Sequence, residues 1–236
     1  MDTWAVSDLH GNYELFLAIL DKINPEDTVY FLGDACDRGH DGYDLMKSIW
    51  EQPNWIYLMG NHEEMFTEAT QEYIEYGNWL YDTYSYAVRN GGYETLYCWE
   101  LDSEVNRKIW HNRISRLPMG AEYVNTNGKR IFLCHSGFTP VMNRHTKTVK
   151  MYENDSYRLL WDRDHMYDNR WPSNMPDIYV VHGHTPIQYY SHEYTVDEGP
   201  LFYQKRHKID IDCASYNTNA AFIFNLDTFD YITVRI

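Results

Sequence analysis

Short apolar runs recur along the chain, and each ends abruptly in a polar loop that contains or adjoins glycine. These runs are rich in β-branched and aromatic residues, which is typical of strands. The five runs cover residues 3–7, 28–32, 55–59, 130–134 and 178–181. Each is short enough to form a single strand of ordinary length.

Amphipathic helices separate the first three runs. Apolar residues recur on one helical face in residues 13–23 and again in residues 43–50. The first sixty residues therefore predict the order β-α-β-α-β, which implies a largely parallel sheet. Residues 63–116 look mainly helical, with breaks at Gly77 and at the N-G-G of residues 90–92, and residues 208–236 alternate like short antiparallel strands.

The length of 236 residues, 44% of them hydrophobic, favours one α/β domain over residues 1–236. No internal repeat or polar linker divides the chain, and the loop-like stretch 166–176 is too short to separate domains. The start of the chain has no basic segment leading into a long apolar one, and no run of 18 apolar residues occurs. We therefore expect a cytoplasmic protein without a membrane span.

Charge narrows the range of partners. The net charge is -15, from 20 basic and 35 acidic residues, which opposes non-specific binding to nucleic acid or to a membrane surface. Any attraction for an anionic ligand must then be local. The four cysteines, at residues 36, 98, 134 and 213, form no C-x-x-C pair, so we expect buried thiols in a reducing compartment.

Metal-ligating residue types follow almost every predicted strand. The segments, in chain order, are S-D-L-H-G-N (7–12), G-D-A-C-D-R-G (33–39), G-N-H-E (60–63), C-H-S-G (134–137) and H-G-H-T-P (182–186). Ligands of open α/β sheets collect at the carboxyl ends of the strands. Two divalent ions about 3.5–4 Å apart need carboxylate and imidazole ligands and one shared carboxylate, and these loops supply that set.

Single fragments carry little weight. Asp8 and His10 are expected to point the same way along an extended segment, as a pair of ligands would. The same sequence also fits a turn aspartate beside a surface histidine. His135 and His184 also fit ordinary core histidines, and Asp34 fits an ordinary strand-to-helix turn. Five such fragments in this order, all at strand ends, favour a catalytic metal site.

Together these motifs resemble the phosphoprotein phosphatase branch of the calcineurin-like metallophosphoesterases, and within it the small bacterial and bacteriophage lambda-type serine/threonine protein phosphatases. N-G-G at 90–92, L-W-D-R at 160–163 and I-D-I-D at 209–212 add to the likeness, which covers most of the chain. The resemblance implies an α/β fold, a single-domain β-sandwich flanked by helices, with the active site at the carboxyl ends of the strands.

The resemblance also implies the ligands. Asp8 and His10 would bind the first ion, Asp34 would bridge, and the second ion would be completed by Asn61, His135 and His184. His182, one step earlier on its strand, is expected to pack behind the site instead. We expect two divalent ions, with manganese first; iron, zinc, nickel and magnesium remain open, because oxygen and nitrogen ligand sets accept several metals.

The resemblance also implies the mechanism. A hydroxide held between the two ions would attack the phosphorus directly, without a covalent enzyme intermediate. His62, held by Asp37, is predicted to protonate the departing oxygen. Arg38 and Arg163 are predicted to hold phosphoryl oxygens with forked donors.

The implied substrate is a phosphoserine or phosphothreonine in a protein or peptide, with phosphotyrosine as a further option. The alternative is a dinucleoside tetraphosphate, but relatives of that kind tend to lack the second aspartate of G-D-x-x-D-R-G and to carry G-N-H-D. Asp37 and Glu63 in this chain favour the phosphoprotein. A polynucleotide phosphatase is disfavoured by the net charge. A non-catalytic phosphopeptide-binding module remains a further alternative, which a metal-dependent phosphatase assay would exclude.

Residues 73–99 are unusually aromatic. Tyr73, Tyr76 and Leu80 have helical spacing, which favours a core stripe with half-buried tyrosines over a wall that stacks on substrate. The segment remains the first place to look for substrate specificity.

Overall fold

The computed structural model describes residues 1–138, 156–165, 177–190, 194–203 and 207–236, together with the backbone of residues 141–142, 149–150 and 166. The strands, in chain order, are β1 (Thr3–Val6), β2 (Thr28–Phe31), β3 (Trp55–Tyr57), β4 (Gly120–Val124), β5 (Arg130–Cys134), β6 (Val141–Met142), β7 (Val149–Lys150), β8 (Ile178–His182), β9 (Leu201–Tyr203), β10 (Lys208–Asp210), β11 (Ala220–Asn225) and β12 (Tyr231–Arg235). The helices are α1 (Tyr13–Leu20), α2 (Gly42–Trp50), α3 (Asn61–Tyr76), α4 (Tyr81–Arg89), α5 (Tyr93–Leu101), α6 (Glu104–Ile114), α7 (Ser156–Leu160) and α8 (Ser215–Thr218). Apart from residue 166, the predicted loop 166–176 lies outside the described residues.

The first sheet has the strand order β12-β11-β1-β2-β3. Strand β1 pairs in parallel with β2, and β2 pairs in parallel with β3, so the predicted β-α-β-α-β opening is confirmed. Strand β11 joins the other side of β1 in the antiparallel direction and forms a hairpin with β12. The carboxyl ends of β1, β2 and β3 therefore meet at one edge.

The second sheet has the order β4-β5-β8-β10-β9, in which β5, β8 and β10 are parallel. The expectation that β10 belongs with β11 and β12 in one antiparallel set is wrong. All three residues of β10 are buried, including Lys208 and Asp210, because it is an inner strand of this sheet. Strand β4 was not predicted; it is a half-exposed edge strand with a weak apolar pattern.

The two sheets pack face to face, and alternate residues of each strand point to opposite sides. Ala5, Ile131 and Phe222 enter the core between the sheets, whereas their neighbours Val6, Phe132 and Ile223 enter the core beneath the helices. This period of two is what a sheet covered on both faces requires. The predicted sandwich flanked by helices is confirmed.

Helices α3 to α6 form the predicted helical stretch, and its breaks fall where they were expected. Gly77 ends α3 in a left-handed conformation (φ 75°), and α4 ends just before the N-G-G of residues 90–92. No helix in the described parts of the chain is both long and apolar enough to cross a bilayer.

Candidate metal centre

The loops that follow five parallel strands deliver the predicted ligands to one place. Asp8 and His10 follow β1, Asp34 follows β2, Asn61 opens α3 after β3, His135 follows β5 and His184 follows β8. All six side chains are buried, with at most 7% of any residue exposed. The sheet edges of both layers thus converge on a single cluster.

Unusual backbone conformations accompany these positions. Nine non-glycine residues of the described chain have positive φ, and six of them are predicted site residues: Asp8, His10, Asp34, Asp37, Arg38 and His184. The expectation of an extended Asp8-x-His10 segment is therefore wrong. The chain turns there, and the amides of Asp8 and His10 donate to the carbonyls of Gly33 (3.1 Å) and Asp34 (2.9 Å), which locks the first loop onto the second.

Asp34 lies at the centre of the cluster. Its Oδ2 is 3.6 Å from His10 Nε2 and 3.8 Å from His62 Nε2, and its Oδ1 is 3.4 Å from His135 Nε2. Two groups of ligand atoms, each within 4.8 Å of one another, are His10 with Asp34 and His62, and Asp34 with His135 and His184. Asp34 is common to both, as a bridging carboxylate would be.

The remaining predicted ligands complete the cluster. Asn61 Oδ1 lies 2.8 Å from His135 Nε2 and 2.9 Å from His184 Nδ1. Asp8 Oδ1 lies 3.9 Å from His10 Nε2, and the Asp8 carboxylate accepts a hydrogen bond from the backbone amide of His184 at 3.1 Å. The structure thus brings all six predicted ligands together, and it places His62 close enough to His10 and Asp34 to join the first group.

The histidines present ligand atoms of the right kind. His10 Nδ1 donates to the carbonyl of Cys36 at 3.1 Å, and His135 Nδ1 donates to the carbonyl of Leu32 at 2.9 Å. With the proton on Nδ1, the lone pair on Nε2 points into the cluster, which is the form in which histidine binds metals. These residues therefore fit a site for divalent cations.

The charged groups of the cluster shift the pKa values of Asp34 and His135 in opposite directions. Burial alone would raise the pKa of Asp34, but attraction to His135, His62 and His10 holds that pKa well below its usual value. Burial alone would lower the pKa of His135, but attraction to Asp34 and Asp8 raises it to about 10. The three histidines around Asp34 therefore favour the charged carboxylate that a bridging ligand needs.

His62 is held by Asp37, the residue that was predicted to orient it. Its Nδ1 lies 2.8 Å from Asp37 Oδ2, and both residues are buried. The exposed Arg38 donates from Nη1 to His10 Nε2 at 2.8 Å and from Nη2 to His62 Nε2 at 3.1 Å. Because a guanidinium only donates, His62 Nε2 accepts in this arrangement, and its Nδ1 carries the proton shared with Asp37.

Arg163 reaches the opposite side of the cluster. Its Nε lies 3.3 Å from His184 Nε2, and its guanidinium lies 5.8 Å from the centre of the Tyr189 ring. Arg38 is flanked in the same way by Tyr216, at 5.7 Å. Two exposed arginines therefore border the buried cluster of candidate ligands on its solvent side.

A profile of the calcineurin-like phosphoesterases matches residues 1–214. The chain belongs to this family. Calcineurin-like phosphoesterases are hydrolases that use dinuclear metal centres, so the two groups of ligand atoms that share Asp34 correspond to what the family requires.

The similar proteins are named for two different activities. This phosphoesterase is 27% identical to serine/threonine-protein phosphatase 2 of Salmonella typhimurium, over 83% of this chain and 86% of that protein. It is 31% identical to the symmetrical bis(5'-nucleosyl)-tetraphosphatase of Xanthomonas axonopodis pv. citri, over 27% of this chain and 21% of that protein. A solved protein serine/threonine phosphatase from Saccharomyces cerevisiae superposes with a TM-score of 0.62 at 16% identity, covering 100% of this chain and 80% of that one.

Sequence reasoning missed one supporting residue of this phosphoesterase. Glu63, fully buried, accepts hydrogen bonds from the amides of Asp34, Ala35 and Gly60, each at 2.8 Å, and from the Tyr57 hydroxyl at 2.7 Å. It ties the loop after β2 to the start of α3. The signal was present in G-N-H-E, because a glutamate at the third helical position commonly bonds back to the residue that precedes the helix.

Two further residues border the site. Asp212, the last residue of the I-D-I-D stretch, is buried near Asp8 and Asp34. Burial raises its pKa to about 6, and the amide of Ala214 and Arg38 partly offset that rise. His182 turns away from the cluster, as expected, with its Nε2 2.7 Å from the Tyr203 hydroxyl.

Proposed function

We propose that this chain is a two-metal phosphatase that removes phosphate from phosphoserine or phosphothreonine in proteins, and that it works in the cytoplasm with manganese. The observation that carries the proposal is the place of Asp34, which belongs to both groups of candidate ligands at the edge of two sheets. All four cysteines are free thiols, in keeping with the proposed compartment. The Salmonella relative, similar over most of both chains, supports the choice of substrate.

The chain's own residues divide the work around the phosphoryl group. Two bound cations would supply charge for the phosphoryl oxygens and an activated water. Arg38 and Arg163, on opposite sides of the cluster, hold the remaining phosphoryl oxygens with charge-assisted hydrogen bonds. They give the local attraction that a chain of net charge -15 otherwise lacks.

Proton transfer falls to His62. Its Nδ1 is fixed by Asp37 at 2.8 Å, which aims Nε2 at the space beside Arg38. Protonated on Nε2, the imidazole donates to the oxygen that leaves as the P–O bond breaks. A positioned acid of this kind contributes about 10² to 10⁴ in rate for a poor leaving group.

A second candidate is hydrolysis of a dinucleoside tetraphosphate. The similarity to the Xanthomonas tetraphosphatase favours it, although that similarity spans about a quarter of this chain. The two candidates share the reaction centre and differ in the group that lies outside it.

A substrate panel separates the candidates. The metal-free protein is loaded in turn with manganese, iron, zinc, nickel and magnesium, and phosphate release is measured from phosphoserine, phosphothreonine and phosphotyrosine peptides of one sequence and from diadenosine tetraphosphate. We expect kcat/KM to be highest for phosphoserine or phosphothreonine with manganese. A higher kcat/KM for the nucleotide would transfer the assignment to the second candidate, and a lack of metal-dependent hydrolysis of every substrate would refute both.

A further inference from the structure

The aromatic segment of residues 73–99 divides into two parts with different surroundings. Tyr73, Trp79 and Trp99 pack on one another with ring centres 4.6 to 5.8 Å apart, and Tyr84 lies 5.1 Å from Trp79. The predicted stripe of Tyr73, Tyr76 and Leu80 is wrong, because α3 ends at Tyr76 and that residue is exposed. Tyr86 is directed elsewhere. Tyr86 is 47% exposed, and the centre of its ring lies 6.2 Å from that of Trp161 at an interplanar angle of 36°.

Trp161 connects this pair to the metal centre. Its ring lies 6.4 Å from that of the candidate ligand His184. Its indole Nε1 donates to Glu64 Oε2 at 2.5 Å, which fixes the ring plane. Glu64 is two residues beyond His62 in the first turn of α3, so Trp161 is anchored both to the metal cluster and to the helical turn that carries the proposed acid.

Trp161 and Tyr86 thus form an aromatic wall that begins beside His184 and ends in solvent. The charged groups beside its outer end are Glu64 and Glu68, both carboxylates, so this end repels a phosphate. The wall suits the uncharged part of a substrate. Because Trp161 contacts Glu64, two residues beyond the proposed acid His62, we expect a leaving group held at His62 to lie near this wall.

We propose that the aromatic wall of Trp161 and Tyr86 stacks against an aromatic leaving group, so that Tyr86 sets how well this site takes an aryl phosphoester relative to an alkyl one. The inference rests on the proposed phosphatase function and names the residues that set its range. A phenol ring gains a stacking contact on the wall beyond its buried area, whereas the threonine side chain has no ring to stack.

The wall is tested with variants at Tyr86, because this residue is exposed and its replacement leaves the core intact. Tyr86→Leu removes the ring, Tyr86→Phe keeps it, and Tyr97→Leu is the matched control. Tyr97 is also 47% exposed and paired with another ring, that of Tyr93 at 6.0 Å. Each protein, loaded with manganese, is assayed on phosphotyrosine and phosphothreonine peptides of one sequence.

We expect Tyr86→Leu to lower kcat/KM for the phosphotyrosine peptide by about three- to tenfold, mostly through KM, and to change the phosphothreonine value less than twofold. Tyr86→Phe and Tyr97→Leu should match the wild type on both peptides. Equal losses on the two peptides would reduce Tyr86 to a structural role. Unchanged values for Tyr86→Leu would show that the ring does not meet the leaving group.

Binding of phenylphosphonate and ethylphosphonate, measured by calorimetry on the manganese-loaded protein, tests the wall without turnover. The wild type should bind phenylphosphonate more tightly, and Tyr86→Leu should remove the difference. If neither peptide is hydrolysed, the proposed function fails while these two ligands still decide the stacking. If Tyr86→Leu impairs only hydrolysis of diadenosine tetraphosphate, the wall binds a nucleobase and the assignment to aryl phosphoesters is overturned.

Discussion

Glu63 offers the sharpest test of how the fold holds the metal centre. Its carboxylate is fully buried and accepts four hydrogen bonds from N–H and O–H donors, two on each oxygen, besides a longer one from the Cys36 thiol at 3.9 Å. The substitution Glu63→Gln keeps the shape of the side chain but replaces one oxygen by an amide group that only donates. The least damaging orientation places this amide beside Ala35 and Tyr57, because the tyrosine hydroxyl can rotate and accept.

The cost follows from the bonds that remain. In that orientation the amide of Ala35 loses its partner inside the protein, at about 1–3 kcal/mol for a buried unsatisfied donor. The bonds from Asp34 and Gly60 survive, but they are weaker because the acceptor is no longer charged. We expect the free energy of unfolding to fall by about 2–4 kcal/mol, which corresponds to roughly 5–15 °C in the melting temperature of a chain of this size.

Urea denaturation of the metal-free protein measures this loss, and titration with manganese shows whether the displaced Asp34 loop weakens metal binding. Glu75→Gln is the control, since it removes an exposed carboxylate from the same helix. The control should stay within about 0.5 kcal/mol of the wild type. If Glu63→Gln also left the free energy of unfolding within about 0.5 kcal/mol of the wild type, the carboxylate would not be what holds these two loops together.

Three further substitutions test the site itself. Asp34→Asn should strip at least one ion from the protein, because the shared carboxylate loses its charge; two ions per chain by native mass spectrometry would contradict the bridge. His62→Asn should lower turnover of an alkyl phosphomonoester by about 10² to 10⁴ but that of p-nitrophenyl phosphate far less, since nitrophenolate needs little protonation, and equal losses would remove His62 from the acid role. Gly183→Ala should lower the melting temperature by about 5 °C, because the added methyl group overlaps the Asp8 carboxylate and the Ser7 hydroxyl; an unchanged melting temperature would show that this loop has room to shift.

The sequence predicted where the chemistry lies because that prediction depends on one general property of parallel sheets. Residues placed after β1, β2 and β3 must meet, since the carboxyl ends of parallel strands share an edge. The same reasoning located His135 and His184 after β5 and β8. The first sixty residues were predictable for a related reason, namely that their apolar periods are strong and local.

Other features depend on contacts between distant segments, which no local pattern encodes. Asp8 and His10 leave the extended conformation because their amides bond to the loop after β2. Strand β10 is an inner strand that pairs with β8, and its residues are buried on both faces. Its short sequence alone also fits an edge strand. Tyr86 and Tyr84 belong to one helix and one aromatic segment, yet only Tyr86 reaches Trp161, and the position of Trp161 is set by tertiary packing.

The division of ligands between the sheets bears on how the two ions would be spaced. The candidate ligands Asp8, His10, Asp34 and Asn61 follow strands of the first sheet, whereas His135 and His184 follow strands of the second. The second ion would therefore draw its ligands from both sheets, with Asp34 and Asn61 reaching across to the two histidines. Because the sheets meet through a close-packed apolar layer, the packing of that layer sets the separation of the two groups. A metal centre built in this way is a property of the whole sandwich, and neither sheet alone would hold both ions.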